Sequence, residues 1–448
     1  MNQLRRALIV LVPLLALLFA GSASAGKYVA IKGAKGPGPA SLDKVFVEKF
    51  GPKKAGTVLV LIPGTGGGAG SVSPIARDLS KSVDGLQVWG FDRRGNALED
   101  TSGFDGGAAA AADYYLNFRY DSVSAEEAPY AADWGFATEM NDLREVIEKA
   151  SKDGRQVILG GHSRGASSVV AYAGWDFKGK DGGRGYEDLA GLVLIDGGLA
   201  AFGDQELTLE EAQAGLAEIE GGAIFNDPLG AGIPEAGPIF SELAALTALE
   251  APDVASTLQN EPIVAAAGLS PPYPVTNEGL LGYLFDKDYS PLGPSLQIRA
   301  GDFGPGDPRP WASGENTPIE DFAEAFGREP ANATEWYYPA RMVLDTGAAN
   351  ALGRTPAADF LGLRLFHAKQ ITTPLYAFQT DLTGGGVLKG ARAVIKQSKI
   401  TEKTLIDASS STSHLDPVLA PKATNRFTKT VTPFLKEIVG RGCAGGCP

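Results

Sequence analysis

The chain has 448 residues, with 40 Lys and Arg against 53 Asp and Glu, a formal charge of −13 and 44% hydrophobic residues. That composition excludes wholesale disorder and leaves room for one enlarged domain or two to three ordinary ones. The acidic balance, with no basic run beyond the extreme N-terminus, argues against nucleic acid or an anionic membrane as the main partner.

The first 25 residues have the three parts of an export signal: Arg5 and Arg6, an apolar run over 7–20, and Ala23-Ser24-Ala25 as a small-residue cleavage site. A cut after Ala25 is expected. It would place a secreted or periplasmic protein without a remaining membrane span, the alternative being an uncleaved anchor. Two short strands follow, 28–32 and 44–48, around a Gly/Pro-rich turn. The runs 57–62, 86–91, 157–159 and 192–195 are apolar and bounded by turn residues, which suits strands buried on both faces of a parallel sheet. Between them, Phe136, Met140, Leu143 and Ile147 put one apolar stripe on a helix ending near Ser151, and a second helix is expected over 164–175. The segment 96–132 is a smaller excursion.

After Ile195 the strand–helix rhythm breaks. Residues 197–370 hold Ala/Glu/Leu-rich helical pieces (207–219, 240–249), Pro-rich connectors and an aromatic knot at Trp336-Tyr337-Tyr338, read as an inserted, mainly helical lid. The knot is more simply the insert's own core than the lining of a cleft. Alternation resumes with a strand at 374–378, a helix over 387–397, a strand at 404–406 and a last amphipathic helix carrying Phe427, Val431, Phe434, Leu435 and Ile438. The expected division is a leader 1–25, a first α/β part 26–196, the insert 197–370 and a second α/β part 371–448. Strands alternating with helices imply a mostly parallel sheet covered on both faces.

The chemistry centres on Gly161-His162-Ser163-Arg164-Gly165. With 58 glycines in the chain a Gly-x-Ser-x-Gly match is weak alone, but here a strand precedes it and a helix follows. At such an elbow the flanking positions must lack side chains, and the serine is pushed out at the sheet's edge. On these residues the chain resembles the α/β-hydrolases, over about 27–196 and 371–440. The resemblance implies a nucleophile followed in chain order by an acid and then a histidine. Ser163 would be the nucleophile and His414, in the loop before the last helix, the base. Asp381, just past the strand that reopens the fold, is the expected acid, with Asp196 as the alternative because some relatives carry it one strand earlier. The oxyanion hole would use the N–H of Arg164 and that of Thr65 or Gly66, in a Pro63-Gly64 loop standing where the family often has His-Gly. Asp92-Arg93-Arg94-Gly95 is similar to the family's Asp-x-Arg-Gly turn, with a mostly structural role.

Competing chemistry is weaker. Gly64-x-Gly66-x-x-Ala69 is a passable dinucleotide fingerprint, yet the acid at the next strand end, Asp92, lies farther on than the usual ~20 residues. The three histidines, His162, His367 and His414, are scattered and no HExxH occurs, so neither a metal nor another cofactor is expected. Cys443 and Cys447 could close a small terminal ring or stay free. The expected activity is hydrolysis of a small-molecule carboxylic ester through an acyl-enzyme, with an amide or peptide substrate, or a non-catalytic binding role on the same fold, as alternatives.

Overall fold

The computed structural model describes residues 26–177, 183–201, 206–230, 232–328, 330 and 332–443. The expected leader and the pairing of Cys443 with Cys447 lie outside the described residues.

Eight strands form one sheet: β1 (Lys27–Lys32), β2 (Lys44–Phe50), β3 (Thr57–Ile62), β4 (Leu86–Asp92), β5 (Gln156–His162), β6 (Gly191–Ile195), β9 (Leu375–Gln379) and β10 (Lys403–Asp407). Strands β7 (Gly301–Phe303) and β8 (Trp311–Ser313) form a separate ribbon. The main sheet runs β1-β2-β4-β3-β5-β6-β9-β10, with β2 antiparallel to β1 and β4 and every later pairing parallel. The apolar runs form its centre because both of its faces are covered. Every residue of β3, β4 and β6 is buried. Helices α1 (Ser73–Ser82), α3 (Phe136–Ala150), α4 (Arg164–Gly174), α12 (Gly386–Gln397) and α14 (Arg426–Cys443) supply the crossovers and flanks, while α2 (Ala108–Leu116) lies in the 96–132 excursion. The stripe expected on α3 is buried at all four positions. Helix α1 has only Ile75, Ala76 and Leu79 as buried apolar residues, too few to show a period.

Between β6 and β9 the chain leaves the sheet for α5 (Leu209–Glu220), α6 (Ala236–Glu250), α7 (Pro262–Ala266), α8 (Asn277–Phe285), α9 (Ile319–Phe326), α10 (Ala340–Ala349) and α11 (Pro356–Phe360). This insert is continuous with the core. Phe240, Leu243, Phe285 and Trp336 belong to the same apolar cluster as Leu59, Leu61 and Val193 of the sheet. Trp336, Tyr337 and Tyr338 are fully buried in packing of this kind. Trp336 stands edge-on to Tyr115 and Tyr120, and Tyr337 packs on Phe225.

The parallel register brings the strand ends together. Gly161 of β5 pairs with Ile62 of β3, His162 with Ile195 of β6, and Ile195 with Phe378 of β9. Ser163, Asp196 and Thr380 therefore emerge side by side at the C-terminal edge, where sheets of this type carry their sites. Helix α13 (Asp416–Leu419) follows His414 at the same edge.

Candidate active site

Ser163 sits between β5 and α4 with φ +54° and ψ −126°, a conformation that costs a non-glycine residue about 1–3 kcal/mol. Its surroundings leave no alternative path. A Cβ at Gly161 would stand 2.2 Å from the Gly165 carbonyl oxygen, one at Gly165 2.3 Å from that of Ile62, and one at Gly197 1.9 Å from that of Ser163 itself. The bend is closed by the Ser163 N–H donating to Ile195 at 2.8 Å and the Ala166 N–H donating to Ser163 at 3.0 Å.

His414 is buried, and its Nδ1 lies 2.6 Å from Oδ2 of Asp196. Asp196, also at positive φ (+44°), is fully enclosed. It accepts the Thr380 N–H at 2.7 Å on Oδ1 and the Thr380 hydroxyl on Oδ2. Burial pushes this carboxyl up, but the bonds from His414 and Thr380 more than offset it, and its pKa falls below the ordinary carboxylate value. An ionised Asp196 accepts from Nδ1–H, which leaves Nε2 as the basic ring nitrogen. Ser163 and His414 line one cavity.

Asp381, the acid expected from the sequence, does not meet His414. At the end of β9 Thr380 faces Asp196, and the next residue turns to the insert. Asp381 Oδ2 lies 3.1 Å from Arg299 Nη2 and 3.6 Å from Lys287 Nζ, and it accepts the Ser413 hydroxyl at 3.1 Å. Asp381 thus ties the insert to the histidine-bearing loop, and the alternative, Asp196, holds the imidazole. Asp416 fastens the same loop from its other side, accepting the N–H groups of Ser413 and Arg299 and the Thr317 hydroxyl.

The other histidines have different work. His162 donates from Nε2 to the His414 carbonyl at 2.9 Å, with the two rings 4.5 Å apart. Burial and the neighbouring His414 push its pKa down to about 3, so it stays neutral and steadies the His414 backbone. No sequence signal marked this role beyond the position of His162 inside the elbow. His367 lies at the far end of α4, its N–H on the Gly174 carbonyl and its Nε2 3.2 Å from Asp176.

The loop after β3 passes directly over the serine, since a Cβ at Gly64 would lie 3.0 Å from Ser163 Cβ and 3.5 Å from its Oγ. Gly64 to Gly67 form a turn closed by the Gly67 N–H on the Gly64 carbonyl at 3.3 Å, with Gly66 at φ +64° as a type II turn requires. The N–H groups of Thr65 and Gly66 have no partner among the described residues. Both residues line the cavity together with Arg164, the first residue of α4, so the two loop candidates stay side by side. A pyrophosphate would find this loop taken. Gly68 and Gly70 already donate to Ala333 and Asn332 at 2.9 Å, and Asp92 accepts from Tyr28 at 2.6 Å and from the Ala69 N–H.

The cavity measures about 510 Å³ and is lined mainly by apolar side chains of the insert and of α13, among them Phe240, Leu284, Phe285, Leu296, Val418 and Leu419. Among the described residues its one charged lining residue, Arg164, is 3.0 Å from Glu139 through Nη2. Among the described residues no group of three or more His, Cys, Asp or Glu is placed to hold a metal ion, and no helix is long and apolar enough to cross a membrane. The arrangement can take a proton from an alcohol, hold the resulting imidazolium against a carboxylate, and present N–H groups to a developing oxyanion.

No family model and no curated protein matches the chain in sequence. Among solved structures it is similar to a putative lipase from Sulfolobus solfataricus (15% identity, 92% of this chain and 93% of that one, TM-score 0.49). It is also similar to a thermophilic esterase from Thermogutta terrifontis (15%, 92% and 99%, TM-score 0.41) and to the thioesterase domain of the curacin biosynthetic pathway (11%, 89% and 95%, TM-score 0.39). The strand order with its single reversed strand β2, the parallel crossovers and the strained serine bend between β5 and α4 are those of an α/β-hydrolase fold.

Proposed function

We propose that the protein is an exported serine hydrolase acting on uncharged carboxylic esters with an apolar acyl group. The observation that carries this reading is the 2.6 Å bond between His414 Nδ1 and Asp196, at a cavity shared with the strained Ser163. Ser163 Oγ attacks the ester carbonyl as its proton passes to His414 Nε2, and the carbonyl becomes an oxyanion facing Arg164 N–H and the Thr65–Gly66 turn. Collapse returns the proton from Nε2 to the departing alcohol and leaves an ester on Ser163. Water, deprotonated by the same nitrogen, then releases the acid and restores the serine. Asp196 stays ionised throughout and steadies the imidazolium.

An ester is favoured over a peptide because the described residues give the cavity an apolar wall and no charge to hold a peptide terminus other than Arg164, which is paired with Glu139. The stretch 197–370 acts as the cap that sets chain-length preference, and residues 1–25 act as the export leader, with the mature chain starting at Gly26. The test is a series of p-nitrophenyl esters from acetate to palmitate beside aminoacyl-p-nitroanilides. Ester turnover that peaks at medium chain length is expected. Faster cleavage of the anilides would overturn the ester assignment, and no turnover of either by folded protein would favour a binding role.

A further inference from the structure

The oxyanion donors come from two separate elements, the head of α4 and the turn after β3, and must be held in register to act together. One side chain spans the gap. Arg93, directly after β4 and almost wholly buried, donates from Nη2 to the Pro63 carbonyl at 2.8 Å and reaches from Nη1 to that of Gly67 at 3.5 Å. These carbonyls flank the turn that carries Thr65 and Gly66. Its Nε donates at 2.7 Å to Glu139 Oε1, the oxygen that Arg164 Nη2 approaches at 3.0 Å, while the other Glu139 oxygen takes the Ser168 hydroxyl of α4 at 2.6 Å. On the opposite side of the loop runs the insert segment 332–335. Glu335 donates its N–H to the Gly66 carbonyl at 2.8 Å, and its carboxylate accepts from Arg93 Nη1 at 3.0 Å. The turn is therefore gripped between Arg93 and the insert. Arg93 does not line the cavity.

We infer that Arg93 is the positioning residue of the oxyanion hole, fixing the turn Gly64 to Gly67 and, through Glu139, the head of α4 in one frame. The inference rests on Ser163 being the nucleophile. A planar guanidinium can meet four acceptors at once, whereas a lysine ammonium of equal charge is a point donor and cannot span them. It also gives the insert a second task, since the cap cannot swing away from the loop without releasing Gly66.

The test compares wild type with Arg93→Lys and Glu335→Gln, each normalised to the number of active sites found by p-nitrophenol burst titration. Arg93→Lys is expected to lower kcat about 100-fold, as loss of an oxyanion donor does, with KM within twofold. The inhibition constant of an alkyl trifluoromethyl ketone, whose tetrahedral adduct places an oxyanion in the same hole, should rise by the same factor. Glu335→Gln keeps the main-chain bond to Gly66 and should lower kcat about fivefold, again at constant KM. It carries the test if Arg93→Lys fails to fold. A kcat per active site equal to wild type in the folded variants, or a loss confined to KM, would overturn the role of Arg93. A wild type without a titratable Ser163 would instead overturn the nucleophile and this inference with it.

Discussion

Replacing Asp196 by Asn separates the two candidate acids. The carboxylate receives three donors on two oxygens: Thr380 N–H at 2.7 Å, the Thr380 hydroxyl, and His414 Nδ1–H at 2.6 Å. An amide of the same shape offers one oxygen. If that oxygen stays on the Thr380 N–H, the NH₂ group faces His414 Nδ1, which must give up its proton to accept. The ring proton then sits on Nε2, and the nitrogen needed as a base becomes a donor. Loss of the tautomer and of the charge that steadies the imidazolium is worth about 10⁴ in kcat, or ~5.5 kcal/mol. Asp381→Asn removes only partly exposed ion pairs with Arg299 and Lys287, worth under ~1 kcal/mol, and should cost less than about fivefold. Steady-state hydrolysis of p-nitrophenyl hexanoate, with circular dichroism to confirm folding, decides between them. A larger loss in Asp381→Asn, or an Asp196→Asn variant within tenfold of wild type, would rule out Asp196 as the acid.

Gly197→Ala should destabilise the protein by about 3 kcal/mol in urea and abolish activity, because the new methyl meets the Ser163 backbone; wild-type stability and turnover would show that the bend is not so tightly enclosed. Stability should also fall between about pH 5 and 7. Burial above all pushes the enclosed carboxyls of Asp92, Glu242 and Glu335 up to about 7, so the folded chain keeps protons that the unfolded chain has already released, and this stabilisation is lost as pH rises. His162, pushed down to about 3, opposes the trend up to its unfolded value near 6.5 but is one group against three. Glu242→Gln should narrow the stability difference between pH 5 and pH 8 by about 2–3 kcal/mol, read from urea unfolding at each pH; an unchanged difference would remove Glu242 from the titrating set.

The sheet was legible in sequence because its central strands are buried on both faces and therefore read as unbroken apolar runs. The serine bend was legible because its glycines answer to backbone contacts, and the strand and helix around it are themselves marked. The acid was not. Asp196 and Asp381 both follow a strand, and what separates them is the positive φ at Asp196 and the direction of the chain past Thr380, neither of which a residue type reveals. Helix α1 was missed because three buried apolar residues after Ser73-Pro74 carry too little periodicity. The clamp on the oxyanion turn joins Arg93 to Glu335 across 242 positions, and one Arg beside another in a turn gave no hint of it. Arg94, the residue that matches the family's turn, instead closes a buried pair with Asp142 at 2.7 Å, the structural task expected of it.

Fluorophosphonate labelling followed by peptide mass spectrometry measures directly whether Ser163 is an alcohol made nucleophilic by His414. One adduct on Ser163 is expected in wild type, none in Ser163→Ala, and labelling slowed at least about 10³-fold in His414→Ala. Folded wild-type protein that takes no label, or a His414→Ala variant that labels as fast as wild type, would contradict it.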